Sequence, residues 1–180
     1  MIQSAATLFR ERGVEGTAFA DVLEHSAAPR GSVYHHFPGG KQQLAEEATR
    51  WAGEAMGAGI AAALREEDPL AALDDFVGLW RAVLEESDFR AGCPIVAAAL
   101  AGERSPGARA AAAAAFAEWR ATLAGAFAEA GLAAAQAGPL ATLFIAAIEG
   151  GIVLARAQRG IEPLTEVVDE LRAVARSALA

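Results

Sequence analysis

The sequence predicts an all-α protein: a three-helix N-terminal head on a larger helical-bundle body, with about nine helices. Alanine and other good helix formers dominate the 180 residues, and β-branched residues are few. Apolar residues recur at helical spacing, and no long stretch alternates as a half-buried strand would. Glycine and proline fall between the apolar stretches, where helices end and begin. We expect the head to comprise residues 1–45 and the body residues 46–180.

The head divides into three short helical stretches. The first has an apolar face and ends at Gly13, a residue suited to a helix C-terminus. Thr17 is predicted to cap the second helix, and Pro29 stands where a third would begin. Val33 and Phe37 give that third helix a thin apolar seam, so its polar side chains are left to project outwards. Two helices joined by the short Ala27-Ala28 turn indicate a helix-turn-helix unit.

The charge of this stretch differs from that of the whole chain. The protein carries a net charge of −8, yet residues 26–45 contain no Asp or Glu. Arg30, His35, His36 and Lys41 lie in that window. A surface that binds phosphate must exclude carboxylates, so the pattern favours DNA binding. The alternative is a solvated surface helix with half-buried aromatic side chains.

Several motifs carry a resemblance to a known family. Leu8-Phe9 with Gly13, followed by GVEGTAFADVLEHSAAPRGSVYHHFPGGKQQL, resembles the N-terminal domain of the TetR family of bacterial transcriptional regulators. The link Pro38-Gly39-Gly40 is one residue longer than usual. In this it is similar to a subgroup of multidrug-type repressors, as is GCPIVAAAL at residues 92–100.

The resemblance implies a role for each matching residue. Arg30 would read a base edge, Gly31 would allow close backbone approach, and Ser32 and His35 would reach bases or phosphates. Phosphate contacts would come from the remaining set: Thr17, Tyr34, His36 and Lys41. Members of the family often carry a basic arm before the first helix. Here either the printed chain starts late or some phosphate contacts are absent.

The body is expected to contain six helices. The first starts near Lys41 and contains three glycines, Gly53, Gly57 and Gly59, which indicate either close helix packing or a hinge. Asp68-Pro69 is predicted to open the second, and Gly92-Cys93-Pro94 marks a break before a short third. The last three are expected to run over residues 106–131, from Pro139, and from Pro163.

Large aromatic residues stand out in the body against a background of alanine. Plain core packing explains each one singly, and the resemblance implies that some line a ligand pocket. A buried Glu149 would meet a cationic ligand or pair with Arg156. The expected effector is small and apolar or aromatic. The candidate pocket residues are Phe76, Trp80, Cys93, Phe116, Trp119, Phe144, Ile148 and Glu149.

The last two helices are expected to form a homodimer contact, as in similar proteins of the family. Gly150-Gly151 would permit close approach of a partner helix. Dimerisation also suits DNA reading, because two recognition helices one helical turn apart read a palindrome. The candidate interface residues are Leu143, Gly150, Gly151, Leu154, Val167, Leu171 and Val174.

Other functional classes are less consistent with the sequence. Residues 139–155 are apolar enough for a membrane check, but Glu149 would lie deep in lipid, so a buried interface helix is favoured. Gly39-Gly40-Lys41 lacks the remainder of a phosphate-binding loop, and the adjacent His35 and His36 diverge on a helix, against a metal site. We expect no enzyme, no cofactor and a cytoplasmic location. The alternative function is a helical ligand- or partner-binding module without sequence-specific DNA binding.

Overall fold

The computed structural model describes residues 1–29, 31, 35–66, 68 and 70–179, and the all-α prediction is confirmed for them. Four residues of the predicted recognition helix, which spans residues 29–37, lie outside this set: Arg30, Ser32, Val33 and Tyr34. The described residues form eight helices: α1 (Ile2–Gly16), α2 (Phe19–Ser26), α3 (Gly40–Ala63), α4 (Ala72–Glu86), α5 (Pro94–Ala99), α6 (Pro106–Glu129), α7 (Ala134–Gln158) and α8 (Glu162–Leu179).

The chain divides into two compact units. The first unit combines Met1–Met56 with Gly92–Ala115, and the second combines Gly57–Ala91 with Phe116–Ala180. The division falls within α3 and within α6. The segment containing α5 and the start of α6 therefore packs with the N-terminal helices, whereas the sequence places it in a body of residues 46–180.

Glycine and alanine define the ends of the first two helices. Gly13 leaves the helical conformation inside α1, with φ +77°, and one more turn follows to Gly16. This agrees with a helix end at Gly13, because only glycine adopts that region easily. Ala27 ends α2 in the left-handed conformation. Its N–H donates to the Glu24 carbonyl, and the Ala28 N–H donates to the Leu23 carbonyl.

Two predicted helix starts are wrong. Helix α7 begins at Ala134, and Pro139 lies inside it. The alanine-rich turn before the proline still forms, because the N–H groups of Gln136 and Ala137 both bond the Ala133 carbonyl. Helix α4 begins at Ala72, since the Asp68 carboxylate first caps a separate turn by accepting the N–H groups of Leu70 and Ala71.

The first unit has a core of small and medium side chains. Helix α1 packs against α5, and the Gly92 N–H donates to the Arg10 carbonyl at 2.8 Å. Helices α3 and α6 lie close together here: a Cβ added to Gly53 would stand 2.7 Å from the Ala115 Cβ. The absence of a side chain at Gly53 therefore sets the distance between these helices.

The second unit is organised around α8. This helix packs against α7, where Gly151 lies directly against Leu164 and Val167. It also packs against α4, and Arg172, mostly buried, bonds Asp74 at 2.6 Å and Asp169 at 3.0 Å. An aromatic and aliphatic cluster fills the space beside α8, formed by Phe127, Leu132, Ala137, Leu140, Ala141, Phe144, Leu171 and Ala175.

The glycines of α3 give a paired test of this packing. Substituting Gly53→Ala should lower the free energy of unfolding by about 1–3 kcal/mol, because the new methyl group collides with the rigid Ala115 Cβ. Substituting Gly59→Ala should raise it by about 0.5–1 kcal/mol, since open space surrounds Gly59 and alanine favours the helix.

Thermal unfolding followed by circular dichroism measures both variants. Each kcal/mol corresponds to roughly 2–4 °C in the midpoint for a protein of this size. A rise in midpoint for Gly53→Ala equal to that of Gly59→Ala would contradict the close approach of α3 to α6.

Candidate functional site

The helix-turn-helix region is anchored by two buried apolar side chains. Val22 on α2 and Phe37 after the second helical stretch are both buried in the first unit. Ala18 is the N-cap of α2, and its N–H donates to the Asp21 carboxylate at 3.0 Å. Ala27 ends this helix in the left-handed conformation. The side chains of Val22 and Phe37 thus face the core of the first unit.

Three described residues of the predicted recognition helix, Gly31, His35 and His36, are exposed. His35 and His36 are helical and exposed, and their rings meet edge to face at 5.2 Å. Gly31 is also exposed, and a Cβ added there would meet nothing within 4 Å. Arg30, Ser32 and Tyr34 lie outside the described residues. The exposed imidazoles are available as hydrogen-bond donors or acceptors to a ligand.

Thr17 occupies a different position from the predicted one. It is fully buried, and its hydroxyl donates to the Gly13 carbonyl at 2.8 Å. The kink at Gly13 frees that carbonyl, and Thr17 satisfies it, so Asp21 rather than Thr17 caps α2. The predicted N-cap role of Thr17 is wrong, and its burial argues against the predicted phosphate contact.

Lys41 lies in the first turn of α3. Its ammonium donates to the Glu15 carbonyl at 3.2 Å, near the end of α1. An ammonium has three donors, so this bond leaves others for a phosphate. The preceding link places Gly40 at φ +64°, a conformation that L side chains rarely adopt, and Gln43 accepts the Gly39 N–H at 2.8 Å. A glycine at position 40 is thus required for the chain to enter α3.

The predicted pocket residues are distributed over both units. Cys93 is buried in the first unit, and the other seven belong to the second. Within the second unit they form separate contacts: Phe76 with Trp80 at 6.3 Å between ring centroids, and Phe116 with Trp119 at 5.4 Å.

Phe144 and Ile148 belong to the cluster beside α8. Phe144 meets Phe127 there, with 5.2 Å between ring centroids, and Ile148 packs against the same cluster. Glu149 is partly buried on α7. A cleft of about 370 Å³ in the second unit has none of the predicted pocket residues in its wall. It is lined by Leu132, Ala135, Gln136, Pro139, Leu140, Leu143 and Ala178.

The predicted interface residues separate into two groups. Gly151 and Leu171 are buried, and Val167 is partly buried, so they pack within one chain. Leu143 and Leu154, each 47% exposed, share an outward side of α7 with Gly150, and Val174 of α8 is exposed too. The sequence analysis missed Val153, 52% exposed. A search for residues spaced three and four apart along this helix would have identified Val153. The exposed residues at this spacing form the α7 outer face: Leu143, Ala146, Gly150, Val153, Leu154 and Ala157.

Helix α7 is also long and apolar enough to cross a membrane, by length and composition alone. Only 33% of its most apolar window is buried in the chain. A core or interface helix of a soluble protein passes the same test, so this is weak evidence for a membrane span. Over the described ranges, no cluster of His, Cys, Asp and Glu could hold a metal ion.

Comparison with known proteins identifies the class. Residues 1–48 match the family model of bacterial regulatory proteins of the tetR family. Residues 69–170 match the C-terminal domain of LmrA/YxaF-like transcriptional regulators. The two matches together identify a transcriptional regulator rather than an enzyme. The chain belongs to the TetR family.

Relatives along the whole chain support this placement. An uncharacterised HTH-type transcriptional regulator of Mycobacterium tuberculosis is 45% identical over 178 residues, covering 96% of this chain and 90% of the relative. LmrA of Bacillus subtilis, an HTH-type transcriptional regulator, is 32% identical over 169 residues, covering 92% and 90%. YxaF of the same organism is 30% identical over 180 residues, covering 98% and 93%.

Solved structures show the same fold. A TetR transcriptional regulator from Legionella pneumophila superposes with a TM-score of 0.80 at 20% identity, covering 96% of this chain and 94% of that one. The TetR family regulator CifR, as a cysteine mutant complexed with 26-bp double-strand operator DNA, gives a TM-score of 0.75 at 27% identity, covering 96% and 93%.

Proposed function

We propose that this protein is a cytoplasmic repressor that binds a palindromic operator as a homodimer and is released by a small apolar or aromatic ligand. The observation that carries the proposal is the division of the helix-turn-helix residues into a buried and an exposed set. Val22 and Phe37 are buried, whereas His35 and His36 face solvent. A recognition helix of this kind packs against the protein core on one side and presents polar groups to the DNA major groove on the other. CifR bound to its operator supports the same use of the fold.

The contacts divide by their chemistry. Arg30 is the proposed base reader, because a guanidinium can bond the O6/N7 edge of guanine through two hydrogens. Ser32, His35 and the backbone at Gly31 lie beside it in sequence and complete the proposed groove-facing set. Tyr34, His36 and Lys41 are proposed to bind phosphates, which position the helix without reading sequence. Thr17 is left out because it is buried and bonded inside the protein.

The α7 outer face is the proposed dimer contact. Its members are apolar or small and repeat at spacings of three and four, as in helices that pack against each other. Gly150 is open to solvent, so a partner helix could approach it closely. A soluble protein gains by burying such a surface against a second copy. The homodimer would bring two recognition helices to one operator.

The ligand is proposed to bind among the aromatic residues of the second unit. Gly57 of α3 lies against Trp119, since a Cβ added to it would stand 3.1 Å from the indole Nε1. Trp119 in turn meets Phe116. A ligand that displaced these rings would therefore change the surface on which this part of α3 rests.

DNA binding is tested by anisotropy titration of a labelled duplex from the intergenic region upstream of the gene. The wild-type affinity should fall steeply with salt, because bound phosphates release counterions. Substituting His36→Ala should weaken binding about tenfold, since each half-site loses a hydrogen bond of about 0.5–1.5 kcal/mol.

The control for His36 is His25→Ala, an exposed histidine on α2 that is outside the proposed contact set. It should bind the duplex like the wild type. Binding no tighter to the upstream duplex than to random DNA would favour a helical ligand- or partner-binding module, which the acidic charge of −8 would suit.

Dimerisation is tested by sedimentation velocity. The wild type should sediment at twice the 18.5 kDa chain mass. Substituting Leu154→Glu should weaken dimerisation at least about 100-fold, because burying an unpaired carboxylate costs several kcal/mol. Leu79→Glu is the matched control, since Leu79 is 63% exposed on α4 and outside the proposed contact. Loss of the dimer in both variants, or in neither, would place the contact elsewhere.

The ligand response is tested with a compound that releases the wild-type protein from its operator duplex. Substituting Gly57→Ala should raise the concentration needed for half-release about threefold or more, since coupling residues contribute about 0.5–2 kcal/mol. Operator affinity without the compound should stay within about twofold. Gly59→Ala, on the same helix but facing open space, should respond like the wild type. An unchanged response in Gly57→Ala would rule out this route.

A further inference from the structure

We infer that Arg104, in the link between α5 and α6, is a further phosphate contact for operator DNA. This inference rests on the DNA binding proposed above. The sequence motifs confine DNA contacts to the first 45 residues, and Arg104 lies some 60 residues beyond them. Three observations in the first unit carry the inference.

The first observation is a hydrogen bond between the link and the start of α3. The side-chain amide of Gln42 donates through Nε2 to the Arg104 carbonyl at 3.1 Å. Gln42 follows Lys41 in the first turn of α3. The backbone of Arg104 is therefore fixed beside the turn that carries the proposed phosphate-binding lysine.

The second observation is the register of α3 and α6. A Cβ added to Gly107 would stand 2.5 Å from the Glu46 carboxylate, and Gly53 meets Ala115 seven residues further along α3. Both helices advance in the same direction, so their N-termini lie at the same end. Arg104, two residues before α6, is thus level with Gln42 and near the proposed DNA surface.

The third observation is a shared neighbour at the end of α1. Lys41 donates to the Glu15 carbonyl, and a Cβ added to Gly102 would stand 2.6 Å from a Glu15 carboxylate oxygen. The end of α1, the start of α3 and the link therefore converge. Arg104 is exposed there, and in the described part of the chain no ion pair engages its guanidinium.

These positions suit a second phosphate of the same backbone. A guanidinium carries five donors in a fixed fork that matches phosphate oxygens, and it stays charged at any working pH. Lys41, in the first turn of α3, and Arg104, in the link before α6, would bind neighbouring phosphates. Three carboxylates near the link, those of Glu15, Glu46 and Glu103, would repel the same DNA backbone, and the exposed Glu103 is next to Arg104 in sequence.

The test compares Arg104→Ala with Arg176→Ala, an exposed arginine of the second unit that loses the same charge. Anisotropy titrations use the upstream duplex and a random duplex at four salt concentrations. In Arg104→Ala, the slope of log affinity against log salt should shrink by about 1.8, from two lost phosphate contacts per dimer. Affinity for both duplexes should fall about tenfold near 0.1 M salt.

Two charge variants sharpen the test. Arg104→Lys should keep most of the salt slope, and Glu103→Gln should tighten both duplexes. Arg176→Ala should match the wild type in affinity and salt slope. If Arg176→Ala loses as much affinity as Arg104→Ala, the effect comes from net charge alone and the inference is overturned. If the wild type binds and Arg104→Ala keeps the wild-type affinity and salt slope, the inference about Arg104 is overturned while the proposed function stands. A wild type that binds neither duplex would contradict the proposed function itself.

Discussion

The close approach of α3 to α6 is the constraint on which much of this structure depends. Gly53 leaves room for Ala115 in the first unit, and Gly57 leaves room for the Trp119 indole in the second. Larger side chains at either glycine would push the helices apart. Because the helices are so close, the residues before α6 reach the first turn of α3. The hydrogen bond from Gln42 to the Arg104 carbonyl in that link follows from this packing.

The sequence predicted helix existence well because glycine and proline act locally. Gly13 at positive φ and Pro94, Pro106 and Pro163 near helix starts were read from local chemistry alone. Pro139 shows the limit of that reasoning. A proline near a helix start favours the first turn, but an alanine-rich stretch before it can extend the helix backwards.

Site residues were harder to predict than helices, because burial depends on tertiary neighbours. Thr17 is a residue type that often caps helices. Here, however, its hydroxyl donates to the carbonyl that the kink at Gly13 leaves unbonded. Cys93 was grouped with body aromatics, whereas its segment packs with the N-terminal helices. On α7 the apolar residues run around the helix. The packing of Gly151 against α8 shows which side of α7 is covered within the chain.

The parallel direction of α3 and α6 has an electrostatic consequence. Each helix carries a macrodipole equivalent to about half a positive charge at its N-terminus. Two N-termini at the same end therefore add about one positive charge there, in a protein whose net charge is −8. A polyanion approaching this end of the two helices meets the fixed partial charges of their backbones in addition to the charges of the side chains.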